Sequence, residues 1–212
     1  AAGLSAALSL PDQPDWCVLY DDDAAPCSGA LAAFSNVVAN LPSHNLGAVA
    51  AWVQTSRGET NKYNLPTRVP FRSARTTVSW LLGRFKRLPA PKLSAQPEPI
   101  DTASFVGFFV QTETVRAHGL PDKRLFISGD DTAYALSLRR AGLQNWFTTD
   151  VRFIHDAAAP QSSGATPWRS FYIARNRVLL ALDHIPIWFV PLIIARMYVR
   201  LLKQSRALKG PV

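Results

Sequence analysis

Three groups of residues in this chain have the types and spacing that chemistry uses. The first is Asp21-Asp22-Asp23, which follows the apolar run Trp16-Cys17-Val18-Leu19-Tyr20. Three adjacent acids repel one another at the end of a buried strand, so either a solvated turn or a bound cation must compensate them. Hard divalent ions take oxygen ligands and often bridge to substrate phosphates, which gives Asp21 and Asp23 a use as ligands for Mn²⁺ or Mg²⁺. The second group is Gly129-Asp130-Asp131, just ahead of the helix-like TAYALSLRRAG. One Asp there could simply cap the helix, but two exceed what capping needs, and a carboxylate at a helix start can act as a general base. The third is His155, at the end of the strand-like stretch from Asn145. It is either a structural histidine or, as a neutral imidazole, a further ligand for a borderline ion such as Mn²⁺.

The elements that must position these groups alternate between strand and helix. Ala1 to Leu10 reads as a helix broken by Pro11-Asp12-Gln13-Pro14, and Trp16 to Tyr20 as a strand buried in a parallel sheet. Ser28 to Asn40 reads as a helix and Gly47 to Gln54 as a second buried strand. Ser104 to Val110 is a third strand, interrupted by Gly107 where backbone or a ligand approaches closely. A short helix capped by Thr112 and stopped at Gly119-Leu120-Pro121 comes next, then the Asp130 helix, then the strand to His155. This order predicts an α/β fold with helices flanking the sheet. Residues 55–99, rich in Pro, Arg and Lys, read as a basic insertion with one helix over Arg75 to Arg87.

Composition narrows the class. In 212 residues, 48% hydrophobic and 18% charged, there is material for a full core, which excludes a disordered or fibrous chain. Two cysteines supply no disulfide framework and suit a reducing compartment. The net charge of +8 is concentrated: Arg57 to Lys92 holds nine basic residues and one acid, and Arg169 to the end holds eight and one. Nucleic acid is not expected, because neither block carries a recognition-helix, zinc or single-strand-stacking motif. An anionic membrane is expected instead. Residues 168–212 read as a basic amphipathic segment, and the apolar run Ile185 to Ala195 is too short and too interrupted by Pro186 and Pro191 to span a bilayer. The competing class is a non-catalytic membrane- or polyanion-binding protein.

As an ordered set, these motifs resemble the GT-A glycosyltransferases of family two, in particular the bacterial rhamnosyl- and galactofuranosyltransferase branch. WCVLYDDDAAP, SGALAAF, SFVGFFV, the Gly-Leu-Pro step, Gly-Asp-Asp with Arg-Arg-Ala-Gly, the later histidine and Phe171-Tyr172-Ile173-Ala174-Arg175-Asn176-Arg177 fall in the order of that branch. The resemblance implies a GT-A, Rossmann-like mixed sheet over residues 1–167 and inverting transfer from a nucleotide-sugar to a glycan or lipid-linked hydroxyl. It implies that Asp21, Asp23 and His155 bind a divalent cation, that Asp131 is the base with Asp130 beside it, and that Asp22, Gly107, Arg175 and Asn176 meet donor or acceptor. The setting would be cytoplasmic, on the inner face of the plasma membrane, in cell-envelope polysaccharide synthesis. Where relatives often carry an acid, two residues after the second Asp, this chain has Ala133. The family's nucleotide-binding strands precede the segment that Ala1-Ala2-Gly3-Leu4 resembles, so the expectation is an N-terminally truncated domain that binds nucleotide-sugar poorly.

Overall fold

The computed structural model describes residues 2–68, 96–156, 167–195 and 198–199. At its centre is a six-stranded mixed sheet in the order β1-β5-β3-β6-β2, with β4 also on β6. The strands are β1 Trp16–Leu19, β2 Ala24–Pro26, β3 Leu46–Gln54, β4 Glu98–Ile100, β5 Phe108–Gln111 and β6 Gln144–His155. Among the described residues only β3 and β6 run parallel; β1 on β5, β3 on β5, β2 on β6 and β4 on β6 are antiparallel.

The apolar run of β3 is continuous because both faces of this central strand are covered. Ala48, Ala50 and Trp52 enter one core with Phe108, Val110 and Leu138, while Val49, Ala51 and Val53 enter another with Phe109, Phe153 and Phe34. The helices supply the covers: α1 Ala2–Leu8, α2 Ala30–Ala39, α3 Thr112–His118, α4 Asp130–Arg140 and α5 Pro167–His184. Leu4 of α1, Val115 of α3 and Leu138 of α4 lie on the first face, and Phe34 of α2 stacks on Phe109 at 4.0 Å on the second.

Several local expectations change. β1 lies at the edge of the described sheet, antiparallel, and only Cys17 in it is fully buried. A four-residue apolar run specifies burial but not the direction of its partner. The strand expected from Ser104 begins only at Phe108, because Gly107 turns into the left-handed region at φ +68°. Its carbonyl still accepts from the Ala51 amide at 2.9 Å. Thr112 does not cap α3; Gln111 holds the cap position, and the Thr112 hydroxyl bonds the Pro14 carbonyl. β2 has no counterpart among the expected elements. The helix expected over Arg75 to Arg87 lies outside the described residues.

Candidate active site

The chain's pairing, more than its local sequence, assembles the acid cluster. β2 registers Ala24 against His155, so Asp23, one residue earlier, stands beside the end of β6. Asp21 is carried there by the turn in which the Ala24 amide donates to the Asp21 carbonyl at 3.0 Å. His155 Nε2 lies 3.1 Å from an oxygen of Asp23 and 3.8 Å from one of Asp21. The two acids are 58% and 64% exposed, whereas the imidazole is 7% exposed. Asp22, between them in sequence, is exposed and outside the cluster.

The histidine is oriented by residues that the sequence did not single out. Its Nδ1 is 3.2 Å from Asn64 Oδ1, an atom that can only accept, so Nδ1 carries hydrogen and donates. Asn64 is itself held by donation to Ser104 Oγ at 2.9 Å, and Asn61 donates to the His155 carbonyl at 2.9 Å. The ring thereby presents Nε2 to the two carboxylates, where a cation could bridge the three groups. One ligand atom from each of Asp21, Asp23 and His155 falls within 4.8 Å of the others. Two carboxylate oxygens and one ring nitrogen form a donor set suited to Mn²⁺.

The second carboxylate pair opens α4. Gly129, at φ +88°, is the cap residue, and no side chain caps the helix. Asp131 instead takes the Thr132 amide at 2.6 Å. Its pKa is pushed up to about 6, first by burial and then by the charges of Asp130 and Asp21. The charge of Asp21 is the smallest of these influences. A carboxyl poised near neutrality is suited to taking a proton from a hydroxyl.

The other expected site residues are engaged by protein. A Cβ at Gly107 would come within 2.7 Å of Ala51 Cβ and 2.9 Å of the Phe153 ring, so the close approach there is made by neighbouring strands rather than a ligand. Asn176 is 1% exposed, and its amide is used on Phe126, Ser128 and Arg175. Arg175 bonds the Arg124 carbonyl and the Asn176 side chain, with its guanidinium 4.8 Å from the Tyr172 ring centre. The amide in a basic helix announced polarity, but only the fold shows what faces it.

Comparison with known proteins bears on the fold. No protein-family model matches the chain. A solved structure described as GalNAc-T7 with UDP, GalNAc and Mn²⁺ superimposes with a TM-score of 0.53 over 84% of this chain and 35% of that one, at 16% identity. The chain has the fold of a GT-A glycosyltransferase. Within that GT-A fold, 157 residues are 29% identical to the galactofuranosyltransferase GlfT1 of Mycolicibacterium smegmatis, covering 73% of this chain. The chain spans about half the length of that curated relative, 48%.

Proposed function

We propose that the chain carries the catalytic centre of a metal-dependent, inverting glycosyltransferase. Its donor is a nucleotide-diphosphate sugar, and its acceptor is a hydroxyl of a glycan or lipid-linked glycan in cell-envelope synthesis. The observation that carries this reading is the convergence of Asp21, Asp23 and His155. The likeness to a galactofuranosyltransferase, and to a fold solved with UDP and Mn²⁺, supports the reaction class.

Asp21, Asp23 and His155 would hold Mn²⁺ or Mg²⁺. The cation, when bound, supplies positive charge to the departing diphosphate. Asp131 accepts the proton of the acceptor hydroxyl as its oxygen attacks the anomeric carbon from the face opposite the leaving group, which inverts that centre. Asp130 keeps Asp131 basic through its own negative charge, and Asp22 is available to the donor.

Residues 1–167 form the catalytic unit in this reading, and 168–212 a segment that rests on an anionic, cytoplasmic membrane face. Support comes from the apolar side chains that the described part presents to solvent, among them Ile187, Leu192, Tyr198 and Trp188, the last 81% exposed. Arg196, Arg200, Lys203, Arg206 and Lys209 accompany them in sequence. No described helix is long and apolar enough to cross a membrane.

A screen of nucleotide-sugars with Mn²⁺, Mg²⁺ or a chelator, at donor concentrations that saturate even weak binding, tests the reaction. Metal-dependent release of the nucleoside diphosphate with an inverted product is expected. Turnover that survives chelation, or none with any donor, would contradict it.

A further inference from the structure

The loop that delivers Asp130 and Asp131 is held from outside by α5. Ile127 sits at φ +73°, a left-handed conformation that a β-branched residue rarely adopts, and Gly129 follows at +88°. The carbonyls on either side of Ile127, those of Phe126 and Ser128, both accept from Asn176 Nδ2, at 2.8 and 2.7 Å. Asn176 Oδ1 accepts in turn from Arg175 Nε at 3.1 Å and Nη2 at 2.9 Å. The amide orientation is fixed by chemistry, since the carbonyls can only accept and the guanidinium can only donate.

Other contacts converge on the same loop. Arg124 pairs with Asp122 and with Asp183 of α5, at 2.6 and 2.8 Å. The Phe126 ring meets Tyr172 edge-on at 5.3 Å. A Cβ at Gly129 would come within 2.9 Å of Leu180, so the helix start is pressed against α5. Among these contacts Asn176 alone is fully buried with every hydrogen-bonding valence used, two on the strained loop.

We infer that Asn176 is a positioning residue, which locks the 126–129 loop and thereby sets the place of Asp131 at the reaction centre. It does not touch substrate. The inference rests on the transferase reading for its catalytic consequence, but the lock itself is a property of the fold. The residue was expected to meet donor or acceptor; its burial assigns it to the machinery beneath.

Two isosteric variants test it. Asn176→Leu removes both donors, and Asn176→Asp turns a carboxylate oxygen toward two carbonyls. Amide hydrogen exchange from Ser128 to Ala133 should quicken by about tenfold or more in both, while Val49 and Phe109 in the central strands keep their protection. Mn²⁺-dependent hydrolysis of a UDP-hexose should lose roughly 10²-fold in kcat with KM for the donor nearly unchanged, because misplacement of the base acts on the chemical step. Unchanged exchange at the loop would overturn the inference. So would equal loss of protection across the sheet, or a KM effect without a kcat effect. If the unsubstituted protein turns over no donor, the transferase reading fails while the exchange comparison still decides the lock.

Discussion

Asp131 holds its proton to higher pH than an ordinary aspartate, because burial and the neighbouring charges of Asp130 and Asp21 disfavour its ionised form. In the unfolded chain it would titrate near 3.8, and in the folded chain near 6. The native state therefore binds the extra proton between these values, and stability contributed by this group falls as pH rises through that window. Asp131→Asn should raise the melting temperature above pH 6 and give no gain below about pH 4, a difference that calorimetry reads directly. The same variant should lower turnover roughly 10²-fold or more, since an amide cannot accept the proton. Carboxyl ¹³C titration should place Asp131 near 6 without metal. Addition of Mg²⁺ should move it down, because a cation near Asp21 favours the carboxylate.

The elements show which features were legible in sequence and which required the fold. β3, β6, α2 and α4 stand within a residue or two of their expected places, because long apolar runs and a glycine-led helix start are local signals. β2 is only Ala24–Pro26, with no alternation to read; it exists through its pairing with β6, and that pairing brings Asp23 to His155. Asn64 and Asn61 lie more than 90 residues from the histidine they contact, so no spacing could announce them. Gly107 was legible as a break but not in its purpose. Its φ of +68° and the Ala51 and Phe153 side chains behind it leave no room for a side chain. Gly107→Ala should thus cost about 1–3 kcal/mol in denaturant unfolding, combining overpacking with backbone strain. A neutral result would show that the strands yield there at no cost.

At the scale of the molecule, the fold draws its two acidic sites from three separate segments, the β1–β2 turn, the end of β6 and the start of α4, and α5 lies against the loop that carries one of them. Binding of the protein to vesicles containing anionic lipid should exceed binding to neutral ones and weaken as salt is raised, because the Debye length shrinks from about 10 Å at 0.1 M to about 3 Å at 1 M. Equal flotation with both lipids would assign the exposed apolar residues to a protein contact instead. The most direct measurement for the centre as a whole is calorimetric titration of the metal-free chain with Mn²⁺, beside Asp23→Ala and His155→Ala. One ion per chain is expected, with affinity lowered by about tenfold or more in each variant while circular dichroism stays unchanged. No binding by the unsubstituted chain, or the same affinity in all three proteins, would contradict a cation site at Asp21, Asp23 and His155.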